Sequence, residues 1–373
     1  MAGQRFSFKT IVILGGAFLL LVPALVASWI YVGALQREAE QLVAANLRVR
    51  GELAASQLAR RLYDSWIMVR RYATTIKLDD LAEAGDDFTL ATTFDDHLSW
   101  FGLTNVSGQV IAGSGGIRVG QSVSERIWFR RGLAGPYAGD VHDAAALTKL
   151  LGKQAEPMRF IDFATPVRAS DGRVAGVLGA HLNWDWVRNE LSSLSGGGID
   201  VLLISNDRTV LFGPADLEGR QLTTGAAVAA GQAQTIVRTE TWPDGQEYMT
   251  AVIPAVRFQD MPSFGWSVMV RRDLNAALGP TRQLARSFFL ILGSAALVSL
   301  ALLSIGASWL ATPLHRLGVF AAKLADGPVD HPPYEETRYQ EATVLSAALA
   351  RLQSRVRYGA PAVVASQRGS QGA

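Results

Sequence analysis

Two stretches of this chain carry no charged residue, 10–35 (TIVILGGAFLLLVPALVASWIYVGAL) and 287–314 (SFFLILGSAALVSLALLSIGASWLATPL). A bilayer crossing needs about 20 apolar residues, and a charge at mid-span costs roughly 2.5–3.5 kcal/mol on insertion scales. Runs this long and clean predict transmembrane helices over 10–35 and 287–311. The first exceeds the apolar region of a cleaved signal, which is about 7–15 residues, and it tolerates Pro23 as a span does; it is read as an anchor. Arg5 and Lys9 ahead of it favour a cytoplasmic N-terminus over 1–9. The second span has Arg282 and Arg286 on one flank and Arg316 and Lys323 on the other, so the first decides the orientation. Residues 36–286 are then expected outside the cytoplasm.

Within that region the pattern changes. Over 36–80, Leu42, Leu47, Leu53, Leu58, Leu62, Trp66 and Val69 recur near helical spacing, with only Gly51 as a potential breaker. This predicts a stalk helix that would reach about 60 Å. From Leu98 the chain alternates short apolar runs with turn residues: strand, turn at 105–108, strand; helix and loop over 124–151; then two strands joined by a turn at 170–172. The programme then repeats after the glycines at 196–198. Ala164-Thr165-Pro166-Val167-Arg168 with Gly176-Val177-Leu178 is echoed by Ile253-Pro254-Ala255-Val256-Arg257 with Gly265-Trp266-Ser267-Val268, a signature of internal duplication. The expected lobes are 81–195 and 199–272, followed by an exit helix over 273–286. Beyond the second span, Thr312-Pro313-Leu314 opens a helix that ends at Asp326-Gly327-Pro328. After a proline-rich connector, a second helix carries Val344 or Leu345, Leu349 and Leu352 at coiled-coil-like spacing. The small polar tail over 358–373 is expected to be disordered.

Composition narrows the function. With 35 Lys+Arg against 33 Asp+Glu the formal net charge is +2, and no basic face for nucleic acid emerges. The 373-residue chain has no cysteine, which removes thiol chemistry, disulfides and thiolate metal sites. No phosphate-cradling loop, nucleophile elbow, kinase signature or dinucleotide fingerprint is present. Residues 113–116 read as a hairpin turn, not a phosphate cradle. An enzyme is not expected, nor a cofactor.

Span, stalk, two PAS-like lobes and second span together resemble the double-Cache sensory domain, the extracytoplasmic input module of bacterial chemoreceptors, sensor histidine kinases and diguanylate cyclases. Val123-Ser124-Glu125-Arg126-Ile127-Trp128-Phe129 is similar to the family's R-x-W-[FY] helix. Pro166-Val167-Arg168 with Asp171-Gly172-Arg173-Val174 and Gly176-Val177 is similar to its P-V-x-x-x-D-G-x-x-x-G-V strand pair. The resemblance covers 36–286, and 312–357 resembles a HAMP linker with Glu341 opening its second helix. It implies an α+β fold: a long N-terminal helix and two lobes with antiparallel sheets, flanked by two membrane helices and a cytoplasmic helical hairpin.

In this family the membrane-distal lobe binds a small ligand, with the Arg and Trp of the R-x-W segment on its carboxylate or polar end. The resemblance puts Arg126, Trp128 and Phe129 in that role. Asp143 takes the place of a first ligand-binding Asp and His181 that of a second. A neutral imidazole does not attract an ammonium as a carboxylate does, so an amino-acid ligand is not expected. Asp140, His142 and Asp162 complete the candidate set. His181 stands in an otherwise apolar strand, facing either the pocket or the core. With His142, Asp140, Asp143 and Asp162 it could form a metal or acidic cluster, but no local ligand spacing supports one and no metal is expected. Trp184 and Trp186 are read as packing residues, and Arg130 and Arg131 as solvated. The expected protein is a sensor in the bacterial inner membrane, a homodimer with a polar or anionic periplasmic ligand. The sequence ends soon after the second span with no output domain, which implies a separate cytoplasmic partner. The rival readings are a degenerate Cache domain that docks an envelope protein and a receptor truncated before its output domain.

Overall fold

The computed structural model describes residues 6–143, 158–327 and 329–358. The chain divides into two compact units, one over 36–281 and one formed by the flanking segments 1–35 and 282–373.

In the 36–281 unit, helix α1 (Phe8–Thr75) is followed by α2 (Leu81–Phe94) and a first lobe. That lobe comprises β1 (Leu98–Asn105), β2 (Val110–Gly113), α3 (Ile127–Ala134), β3 (Tyr137–Asp143), β4 (Arg159–Arg168), β5 (Val174–Asn183) and α4 (Trp184–Leu194). The second lobe comprises β6 (Ile199–Ile204), β7 (Val210–Phe212), α5 (Gly225–Gly231), β8 (Ile236–Thr241), β9 (Glu247–Pro254) and β10 (Ser267–Asp273). Each lobe holds one five-stranded antiparallel sheet. The orders are β2-β1-β5-β4-β3 and β7-β6-β10-β9-β8, one topology used twice.

The helix read as a stalk is not free-standing. Leu47, Leu58, Leu62, Trp66 and Val69 are fully buried, whereas Leu42 and Leu53 on the other face are exposed. Trp66 meets Phe163 of β4 at 5.5 Å, and Tyr63 meets Phe258 at 5.2 Å. Gly51 lies close to the second sheet: a Cβ there would come within 2.7 Å of Ile253. Both lobes therefore share a core with α1. Side chains alternate across each strand, so Leu178, Ala180 and Leu182 of β5 join that core. Val177 joins a separate cluster with Trp100, Trp128 and Phe160 on the opposite face of the sheet.

Three local expectations are corrected. The stretch 124–151, read as helix and loop, contains β3, whose Gly139 and Asp140 break the apolar alternation that would have marked it. The repeat aligned Val177 with Trp266, yet Trp266 joins the α1-side core and Val177 the opposite cluster. A register slipped by an odd number of residues inverts every side chain, so the duplication stands with a different alignment. Gly113 ends β2 and 114–116 form a 3-10 turn rather than the tip of a hairpin.

In the flanking unit, the N-terminal part of α1 packs against helix α6 (Leu274–Asp326). Tyr31 meets Phe288 at 5.7 Å, and Gly16 faces Leu303 closely enough that a Cβ would lie 2.8 Å from it. Each helix holds an apolar window long enough to cross a membrane, with mean hydropathy 2.5. Thr312-Pro313 does not open a new helix. The chain runs helically through it, with the Thr312 hydroxyl donating to the Ser308 carbonyl at 2.6 Å, and stops at Asp326 before Gly327 with φ 150°. Helix α7 (Gln340–Tyr358) then packs on α6. Its buried face is Ala342, Ser346, Leu349 and Gln353, while Val344, Leu345 and Leu352 are exposed. Gln353 holds the connector by donating to the Val329 and His331 carbonyls, both at 2.8 Å. The tail predicted to be disordered lies outside the described residues apart from Tyr358.

Candidate functional site

The first sheet's outer face builds its site from one row of residues. Across β1, β5 and β4 the register aligns Trp100, His181 and Asp162. His181 and Asp162 are both buried. The His181 ring stacks on Trp100 with centroids 5.0 Å apart and meets the Trp128 ring edge-on at 5.9 Å. Its Nδ1 lies 2.5 Å from Asp162 Oδ1. From β3, His142 brings Nε2 to 3.7 Å from the other carboxylate oxygen, Oδ2. Its Nδ1 lies 3.2 Å from the Asp140 carbonyl. A carbonyl only accepts, so this contact makes Nδ1 the donor and turns Nε2 toward Asp162.

Glycine makes room for this row. A Cβ on Gly179 of β5 would come within 2.5 Å of the Trp128 ring, so only glycine lets α3 lay that indole on the sheet. Trp128 sits two residues inside α3, and Arg126 is the residue at the helix's N-terminal boundary, with extended backbone at φ −75°.

The mouth is cationic. Arg118, Val123, Arg126, Trp128, His142 and His181 line a cavity of about 20 Å³, room for one water or ion. Arg118 is held in the left-handed region at φ 69°, which a non-glycine residue seldom adopts. The Nε of Arg118 is buried and, among the described residues, has no hydrogen-bond partner. Burial, then the nearby Arg126 charge, lowers the Arg118 pKa. Two guanidinium groups converge here, and neither has an acidic partner among the described residues. Next to Asp162, burial and then the Asp162 charge raise the Tyr137 phenol pKa.

Of the eight candidates, Arg126, Trp128, His142, Asp162 and His181 come together here. Phe129 is buried in the apolar cluster beneath Trp128. Asp143 is exposed and faces Arg159 at 3.6 Å. Asp140 turns away to the second lobe, where its carboxylate accepts from Trp266 Nε1 at 2.8 Å. Burial at that junction raises the Asp140 pKa, against the lowering effect of the Trp266 bond. Sequence reasoning missed Arg118 and Trp100. Nothing local marks Arg118, which lies in a loop; Trp100 was visible only as one apolar residue of a strand.

A long helix packed on two antiparallel sheets of identical order is an arrangement that solved extracellular and ligand-binding domains of bacterial receptors share. The extracellular domain of the histidine-kinase candidate rpHK1S-Z16 is similar, with a TM-score of 0.51 at 15% identity over 64% of this chain and 97% of that one. The ligand-binding domain of the Pseudomonas fluorescens chemoreceptor CtaA, in complex with L-leucine, gives 0.50 at 17% identity over 65% and 99%. That of the Pseudomonas aeruginosa PAO1 chemoreceptor PctB, in complex with L-Arg, gives 0.51 at 16% over 66% and 93%. No protein-family profile and no curated sequence matches the chain. What the chain shares with these domains is the fold: a long helix packed on two five-stranded antiparallel sheets.

Proposed function

We propose that this protein is a membrane-anchored receptor whose first lobe binds a small organic anion outside the cytoplasm. Its carboxylate lies against Arg118, Arg126 and the Trp128 edge, and its polar end points toward His142, Asp162 and His181. The observation that carries this reading is the pair of guanidinium groups that have no acidic partner among the described residues, one with a buried Nε unsatisfied there. An unpaired buried donor costs about 1–3 kcal/mol, and a carboxylate would satisfy it with charge-assisted bonds. The cavity is smaller than such a ligand, so Arg118 and Arg126 must swing outward on binding; both have long side chains at the mouth. Two of the structural neighbours were solved in complex with amino acids, L-leucine and L-Arg, which supports a small ligand. They do not fix the ligand class, because Asp162 on β4 carries the carboxylate that the His181 position lacks.

The helices over 10–35 and 287–311 cross the inner membrane in this proposal, and 312–357 acts as a HAMP-like relay to a separate cytoplasmic partner within a homodimer. A ligand shifts such a receptor only through its differential affinity for two states. Isothermal titration of the full chain in detergent against a panel of mono- and dicarboxylates tests the reading. Saturable binding that Arg126→Ala weakens by about tenfold or more is the expected result. Absence of binding across the panel, or identical affinity in the variant, would favour a protein-docking role for the lobe.

A further inference from the structure

We propose that His142, Asp162 and His181 form a binding site for one divalent transition-metal ion at the inner end of the first-lobe pocket, with an open coordination position facing Arg118 and Arg126. This deepens the ligand-binding reading above and rests on it.

The donor set comes first. Two ring nitrogens and one carboxylate oxygen, one ligand atom from each residue, all lie within 4.8 Å of one another. Donors around a tetrahedral zinc ion, with bonds of about 2.0–2.2 Å, sit roughly 3.3 Å apart. The 3.7 Å between His142 Nε2 and Asp162 Oδ2 is already near that spacing. Only a small inward adjustment of side chains separates the cluster from a coordination shell.

The hydrogen bonding points the same way. The Asp140 carbonyl only accepts, so His142 Nδ1 donates to it, and this orients Nε2 toward the Asp162 Oδ2 oxygen. A metal ion between them would take that nitrogen and that oxygen as two of its ligands. Carbonyl or carboxylate contacts that fix the second ring nitrogen are the usual way a ligating imidazole is oriented. His181 is held by stacking on Trp100 and by Asp162 Oδ1, leaving Oδ2 for the ion.

Size and charge select the occupant. The cavity of about 20 Å³ is of the size of a single ion or water, whereas an ammonium on a carbon skeleton needs more room. Imidazole and carboxylate donors suit Zn²⁺, Co²⁺ or Ni²⁺ better than the oxygen-seeking Ca²⁺ or Mg²⁺. One dication against one carboxylate beside two guanidinium groups leaves a positive excess. A carboxylate bridging the ion and Arg126 would neutralise it, which joins the metal to the organic anion.

The test uses the full chain in detergent, stripped with EDTA and titrated with Co²⁺ and then Zn²⁺ alone. The expected result is one saturating equivalent per chain, a visible Co²⁺ absorption band of a tetrahedral site, and its displacement by Zn²⁺. His142→Ala, at the half-exposed position, should weaken Co²⁺ binding at least about tenfold with an unchanged melting temperature. Asp162→Asn provides a second variant expected to abolish the band. A chain that takes up no Co²⁺, or whose His142→Ala variant binds it equally well, overturns the proposal and leaves an ordinary His–Asp–His hydrogen-bonded network. The same stripped protein is titrated with carboxylates. Carboxylate binding by a chain that takes up no Co²⁺ sinks the metal site and spares the receptor reading; metal binding with no response to any carboxylate does the opposite.

Discussion

The two lobes share one topology, yet they fill the same positions with opposite chemistry. Thr104 pairs with Val177 in the first sheet as Ile204 pairs with Ser267 in the second. Counting along both ladders, the Trp100–His181–Asp162 row corresponds to Asp200–Arg271–Thr250. In the second lobe the central residue is a plug. Arg271 is buried, lies 4.3 Å and 4.1 Å over the rings of Trp242 and Tyr248, and bonds Asp200 at 2.9 Å. Trp242 Nε1 donates to Thr250, and the Glu240 carboxylate, at the position of His142, accepts from the N-terminus of α5. Every charge at this face is answered from within. In the first lobe the equivalent face leaves two guanidinium groups and two histidines lining a cavity, with Asp162 buried beside the histidines. Self-satisfaction of charge is what separates the two copies.

The sharpest way to break this comparison is Arg271→Ala. Removing one partner of a buried ion pair costs about 3–5 kcal/mol. Asp200 is partly exposed, so about 2–3 kcal/mol is expected here, along with the lost cation–π contacts. Urea denaturation should show that loss, while affinity for a first-lobe ligand stays unchanged in folded protein. Loss of affinity with intact stability would mean the second lobe also binds.

Arg118→Ala and Arg126→Ala should do the reverse. Each removes one hydrogen-bonded charge from a ligand carboxylate, worth about 1.5–3 kcal/mol, or roughly tenfold to a hundredfold in Kd. Neither should lower the melting temperature, because each relieves like-charge repulsion at the mouth. Calorimetry on the same samples separates the two readouts.

Gly179→Ala tests whether the cavity exists because of a missing side chain. The second lobe has Met269 at this position, buried in its outer core. A methyl group at 179 would press on the Trp128 ring, and overpacking of this kind costs about 1–3 kcal/mol. The displaced indole should weaken ligand binding and change its tryptophan fluorescence. A neutral outcome for both stability and binding would show that Trp128 is not locked against β5.

How much of this was legible follows from the same residues. Apolar runs without charge and alternating strands announce themselves, because burial imposes their period directly on the sequence. The P-V and D-G turns identified the strand pair that carries Asp162 and His181. Their meeting was not legible: it depends on the β4–β5 register, and a one-residue slip would point His181 at α1. Arg118 was invisible because a left-handed loop residue has no periodicity to betray it. Asp140 and Asp162 looked equivalent as acids near the site. The irregularity between Gly139 and His142 in β3, a bulge of the kind that re-aims side chains, turns Asp140 toward Trp266 and keeps His142 on the pocket side.

That junction gives the smallest expected effect and the one that probes how the lobes are joined. Asp140 has a raised pKa, caused first by burial and opposed by its Trp266 bond. Between the ordinary carboxylate range, near ~4, and that raised value, the folded chain holds a proton that the unfolded chain has released. Stability therefore falls as pH climbs through this window. Asp140→Asn keeps an oxygen for Trp266 Nε1 and cannot ionise. Melting temperatures of variant and wild type should differ least at acid pH, where both side chains are neutral. As pH rises the variant should gain on the wild type, with the gap constant above the window. Asp207 behaves in the opposite sense: the Ser205 hydroxyl and then the Thr209 N–H lower its pKa, so its contribution is lost as pH falls, and it is present in both proteins. A gap that does not vary with pH would mean that the Asp140 carboxylate is ordinary and that its bond to Trp266, rather than its charge, is what the junction uses.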